Sequence, residues 1–157
     1  MPLSLAYHLT GSGWAECTIS DDKGNCTVTA SYLSDALFNL VLAANAVAGR
    51  FSRVTFSFDE EPGEYRWVIS PTRVNEVEIR ILSFGELWGD KPDEDGKLLF
   101  QTICVPETFA MAVHAAAGAV LAKHGESGYL ERWAEHPFPK NQFEDLSRRL
   151  AALQGDA

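Results

Sequence analysis

Basic residues are scarce in this 157-residue chain: 13 Lys and Arg stand against 22 Asp and Glu, for a formal net charge of -9. An excess of that sign repels phosphate backbones and anionic lipid, which excludes nucleic acid and membrane surfaces and leaves a basic protein as the better-matched partner. Cysteine is scarcer still. Cys17, Cys26 and Cys104 form an odd set with wide, irregular spacing, which argues against both a disulfide framework and a zinc knuckle. Reduced, mostly buried thiols are expected. The histidines His8, His114, His124 and His136 include no i, i+4 pair, so neither a metal site nor a cofactor is expected. No G-x-S-x-G, H-E-x-x-H or Gly-rich phosphate loop after a strand occurs, and "GSG" at 11–13 precedes a strand rather than a helix, so it reads as a turn. No run reaches the ~18 uncharged apolar residues that span a bilayer, and "MPLSLAYHLTGSGW" has neither the basic start nor the apolar run of a secretory leader. A soluble, cytoplasmic chain is expected.

With 46 % hydrophobic and 11 % aromatic residues, there is enough apolar surface to close a core, and one globular domain over 1–157 is the expectation. "LSLAYHL" (3–9) alternates as a strand. "WAECTIS" and "NCTVTAS" flank the turn "DDKG" in phase at period two, which predicts an antiparallel hairpin. Pairing Ser20 with Asn25 sets Cys17 opposite Val28 and Cys26 opposite Ile19, leaving the two cysteines as diagonal neighbours about 7 Å or more apart, marginal for a bridge. Residues 35–48 are predicted as a helix buried on more than one side, with Ser34 as its cap and Gly49 ending it in a left-handed conformation. "RVTFSFD" and "EYRWVIS" form a second hairpin around "EEPG". It gives Val54, Phe56 and Phe58 one face, with Tyr65, Trp67 and Ile69 on one face of the return strand. "EVEIRILSF" reads as a strand with one wet side, and "KLLFQTICV" as the last strand before Pro106. A second apolar helix opens at Pro106 and closes at Gly125. A short helix and an amphipathic terminal helix, with Phe143, Leu146, Leu150 and Leu153 on one stripe, complete the chain. The expected fold class is α+β: one antiparallel sheet of about six to seven strands, two apolar helices packed on one face, and a C-terminal amphipathic helix on the surface.

Two acidic stretches attract attention. "FDEEPGEYRW" (58–67) groups Asp59, Glu60, Glu61 and Glu64 at a hairpin tip, where like charges repel unless a cation or basic partner is present. Its plain reading is a solvated tight turn around Pro62-Gly63, with the acids on the surface. Its functional reading is a docking tip. The calcium-loop spacing is absent. "ELWGDKPDEDG" (86–96) adds Glu86, Asp90, Asp93, Glu94 and Asp95 around Trp88. That ring is either an interaction hot spot or folded back onto the sheet. Arg66, on the face opposite Tyr65 and Trp67, is expected to pair with a carboxylate of a neighbouring strand. Cys104 and His114 are the candidates for a pocket between sheet and helices. The plain reading of His114 is a hydrogen-bonded core histidine, and nothing local lowers the Cys104 thiol pKa.

The stretches "GSGWAECTI", "YLSDAL", "FDEEPGEYRWVI" and "HPFP" together resemble an uncharacterised family of small acidic bacterial proteins, frequent in actinomycetes, over nearly the whole chain. In size, acidity and α+β make-up the chain also looks like the immunity proteins of bacterial toxin systems. That resemblance implies a non-enzymatic inhibitor whose acidic loops cover a basic site, and it carries over no catalytic residue. The alternatives are a small-molecule binder or enzyme built on the sheet-helix pocket, and a homodimer joined through a sheet edge or an apolar helix face.

Overall fold

The computed structural model describes residues 3–133 and 136–155. Its strands are β1 (Ser4–Gly11), β2 (Trp14–Ser20), β3 (Asn25–Ser31), β4 (Val54–Asp59), β5 (Glu64–Arg73), β6 (Glu76–Phe84) and β7 (Lys97–Cys104). Helix α1 (Ala36–Ala48) follows β3, and α2 (Pro106–Trp133) and α3 (Lys140–Gly155) follow β7. The fold class is α+β, with antiparallel strands and segregated helices.

The first hairpin has the register that its turn dictates: Cys17 faces Val28, Ile19 faces Cys26 and Ser20 faces Asn25. In the second, Val54, Phe56 and Phe58 face Ile69, Trp67 and Tyr65. Trp67 packs against both phenylalanine rings, 5.4 Å from Phe56 and 5.2 Å from Phe58, which lie 6.1 Å from each other. This inner face joins the apolar sides of all three helices in one continuous core.

The single sheet expected from the alternation is instead two sheets, β1-β2-β3 and β4-β5-β6-β7. Alternation specifies which side chains share a face but not which edges pair. Here β3 touches both β4 and β7 without joining a ladder with either. The β2–β3 turn approaches β7 at Gln101–Ile103, while the other end of β3 meets β4. Side chains close that second junction. Thr29 Oγ1 donates to Glu60 Oε2 at 2.5 Å, Ser31 Oγ donates to the Asp59 carbonyl at 3.0 Å, and Asp59 N–H donates to Ser34 Oγ at 3.0 Å.

That last bond displaces another expectation. Ser34 serves β4 and not the helix, and Asp35 occupies the N-cap position of α1 with no side-chain capping bond. At the other end Gly49 has φ -80, and Arg50 takes the left-handed conformation at φ 64. The bonds from Arg50 N–H to Val47 O and from Phe51 N–H to Ala46 O close the Schellman pattern one residue later than expected. Helix α1 lies against α2, α3 and β4, whereas α2 lies against β1. The two apolar helices therefore do not sit together over one face of one sheet. Gly125, with φ 67, kinks α2 where its first apolar stretch was expected to stop. Leu146 and Leu150 bury the stripe of α3 in the core and leave Leu153 exposed.

Candidate functional site

The outward side of the four-stranded sheet carries Thr55, Ser57 and Asp59 from β4, Glu64, Arg66 and Val68 from β5, and Arg80, Leu82 and Phe84 from β6, by their phase opposite the core residues. It is not the wet side that its charges suggested. Val68, Leu82 and Phe84 form a second small buried cluster, and the chain between β6 and β7 folds back over this end of the sheet.

Two contacts fasten that loop to the β4–β5 tip. Leu87 N–H donates to the Pro62 carbonyl at 2.9 Å, and Trp88 Nε1 donates to Asp59 Oδ2 at 3.3 Å. The tip itself turns through a cis Glu61–Pro62 bond. Trp88 holds a left-handed backbone, φ 54, and its side chain remains 72 % exposed. The ring thus stands over the surface, with its polar edge anchored to Asp59.

The tip acids are not uniformly solvated, contrary to the expectation from turn chemistry. Asp59 and Glu64, which face each other across β4 and β5, are both buried. Burial pushes the Asp59 pKa up, the Trp88 hydrogen bond works against that, and the charge of Glu64 adds to the rise. Glu60 is committed to Thr29 and also meets the Tyr65 hydroxyl. Of the four, Glu61 is the exposed one. In the second loop Glu86, Asp90, Glu94 and Asp95 are exposed, while Asp93 turns inward.

Asp93 meets three guanidinium groups. Its Oδ2 lies 2.5 Å from Arg53 and 3.7 Å from Arg80, and its Oδ1 accepts from Arg66 at 2.9 Å. Burial opposes ionisation of Asp93, but the hydrogen bond from Arg66 and the charges of all three arginines outweigh it, so its pKa lies below the ordinary carboxylate value. Arg66 is the centre of this group: it also donates to the Lys91 carbonyl at 2.7 Å, lies 3.6 Å from Glu64 and stacks 4.1 Å over the Phe84 ring. Its principal carboxylate therefore comes from the loop and not from a neighbouring strand. The nearby Glu64 belongs to its own strand.

Two clefts of about 950 and 450 Å³ flank the loop and share Arg66 and Asp90. The larger is lined by Arg53, Arg66, Arg80, Lys91 and Asp93, and the smaller by Asn39, Ser57, Asp59, Glu64 and Trp88. Each cleft carries three carboxylates, Asp90, Asp93 and Glu94 in the larger and Asp59, Glu64 and Asp90 in the smaller. The larger has four basic side chains and the smaller only Arg66, so the smaller is the acidic one. Sequence pattern alone singles out neither Arg53 nor Arg80. The available signal was the phase of Arg66 and Arg80, which places both on the outer face, but only the pairing of β5 with β6 makes them diagonal neighbours.

Cys104 and His114 occupy different settings. Cys104 is buried at the end of β7, and burial raises its thiol pKa to about 11. The His114 ring stacks on Phe143 at 4.8 Å, and its Nε2 lies 2.7 Å from Ser147 Oγ, so it belongs to the junction of α2 with α3. Burial lowers its pKa. Neither residue lines the outer groove or the smaller clefts beside β1, at the end of α1 or at the β2–β3 turn.

Among the described residues no group of three or more His, Cys, Asp and Glu side chains is arranged to hold a metal ion, and no helix is long and apolar enough to cross a membrane. Comparison with protein-family models, curated proteins and solved structures finds no match.

Proposed function

We propose that the protein is a non-enzymatic binding protein, an immunity-type inhibitor that uses the joined tips of its two acidic loops to cover a basic site on a toxin or similar partner. The observation that carries this reading is the anchoring of the exposed Trp88 over the carboxylate-rich cleft by the bond to Asp59. A preset aromatic ring costs little ordering entropy on binding, and a rim of acids steers a basic partner toward it. The contact surface is Glu61, Glu86, Trp88, Asp90, Glu94 and Asp95. Asp59 and Glu64 form the cleft floor that receives a Lys or Arg side chain, while Glu60 and Asp93 serve the fold.

The test uses the product of a toxin gene adjacent to the coding sequence, with association followed by stopped flow against salt. Combined reversal of Glu61, Glu86 and Glu94 to Lys slows association at low salt by about tenfold or more, and Trp88→Ala speeds dissociation. Unchanged rates in both variants sink the proposed surface.

A second reading, a homodimer, is favoured by the terminal strand β7, which exposes Leu98 and Ile103 beside the exposed Val105. Light scattering decides it: a monomer at high concentration removes the dimer.

A further inference from the structure

The three arginines that converge on Asp93 form a seat with more donors than its occupant can use. Four of the chain's 13 basic residues, Arg53, Arg66, Arg80 and Lys91, line the larger cleft of a protein that is otherwise strongly acidic. Asp93 offers two oxygens. Oδ1 is taken by Arg66 and Oδ2 by Arg53, while Arg80 is 3.7 Å away, beyond hydrogen-bond reach. Arg80 Nε is buried without an acceptor of good geometry, although Glu78 Oε1 lies 3.3 Å from it. A planar carboxylate therefore satisfies two of the three guanidiniums.

We propose that this seat binds the phosphoryl group of a small molecule, and that Asp93 is its resident competitor. A phosphoryl group presents three oxygens where the carboxylate presents two, one for each arginine, and it carries up to two negative charges. The three guanidiniums come from Arg53, the residue before β4, and from the adjacent strands β5 and β6, so the seat is held at the sheet, while Asp93 comes from the loop that must yield. Entry of the ligand exchanges one set of charge-assisted hydrogen bonds for a fuller one. Because Asp90, Asp93 and Glu94 stand at the cleft, binding to the unaltered protein is weak. The seat shares Arg66 and Asp90 with the cleft beneath Trp88, but its occupation by a phosphoryl group does not need the protein partner.

The probe is inorganic phosphate, with citrate as a carboxylate source of higher charge, and the readout is the arginine Nε–H resonances in two-dimensional NMR. Phosphate shifts the Arg80 Nε–H resonance saturably in the millimolar range, and citrate does so less. Asp93→Asn tightens phosphate binding by about tenfold, the scale of one charge-assisted contact, and adding Arg80→Gln removes that gain. Should Asp93→Asn fail to fold, the comparison of Arg80→Gln with the unaltered protein decides alone, read at the Arg53 and Arg66 Nε–H resonances that both proteins retain: the substituted protein loses its saturable response there, and an undiminished response overturns the proposal. No saturable shift with phosphate, equal responses to phosphate and citrate, or Asp93→Asn binding that survives Arg80→Gln overturns the proposal.

Discussion

Replacing Gly63 by alanine places a Cβ 2.2 Å from the Phe84 carbonyl oxygen and 3.3 Å from the Gly85 carbonyl carbon. Nonbonded heavy atoms settle near ~3.5 Å, so the β4–β5 tip and the end of β6 must separate by about 1 Å. The obstructing atom is backbone, and Phe84 is the ladder partner of Glu64, so it cannot swing aside as a side chain could. Overpacking of this kind costs about 1–3 kcal/mol, offset by the ~0.4–1 kcal/mol that Gly→Ala gains through the unfolded chain. A net loss of about 1–2 kcal/mol is expected, which for a domain of this size lowers Tm by about 2–8 °C. Gly85→Ala is the control, since nothing lies within 4 Å of its Cβ. It leaves stability unchanged or slightly raised. Urea unfolding followed by tryptophan emission measures both, with equal m-values required for the comparison. If Gly63→Ala and Gly85→Ala unfold at the same urea concentration, the tip is not packed against β6 and the surface built on Trp88 loses its anchor.

Three further outcomes follow from the same contacts. Thr29→Val removes the donor to Glu60 at the junction of the two sheets and costs about 1–2 kcal/mol in urea unfolding. Thr27→Val, whose hydroxyl bonds Thr18 in solvent, costs less, and equal losses would refute the role of that junction. The depressed pKa of Asp93 gives stability that is present above the unfolded carboxyl value of ~3.9 and lost as pH falls through the folded value, whereas the raised pKa of Asp59 makes stability fall as pH rises through its folded value. Asp93→Asn therefore flattens the stability profile below about pH 4 and Asp59→Asn flattens it just above, and the opposite assignment would refute the two environments. Finally, burial raises the thiol pKa values of Cys17 and Cys104, and raises that of the half-buried Cys26. With a thiol reagent at mild alkaline pH, Cys26 reacts first and Cys104 about a hundredfold more slowly than a free thiol, as read by peptide mapping of the modified chain. A fast Cys17 would contradict its place in the core.

Register within each hairpin is legible in the residue pattern itself. Cys17 opposite Val28 and Phe56 opposite Trp67 follow from period-two alternation and from turns too short to allow slippage. The helices are legible for a similar reason, since their apolar spacing and end signals are local. Their caps are less so, because Ser34 is drawn to the Asp59 amide across the junction and is no longer free for its own helix. The partition into two sheets cannot be read either, because β3 and β4 carry the same alternation whether they pair with each other or only touch through Thr29 and Ser31. The same limit governs the acids. Turn chemistry sends all four carboxylates of "FDEEPGEYRW" to solvent, yet Asp59 and Glu64 are enclosed by a loop more than twenty residues further on, and Asp93 of that loop turns inward to Arg53, Arg66 and Arg80. Alternation and turn residues act over a few positions, so they determine faces and registers. The environment of a charge depends on groups brought near by the closing of the chain, and no local period records which ones arrive.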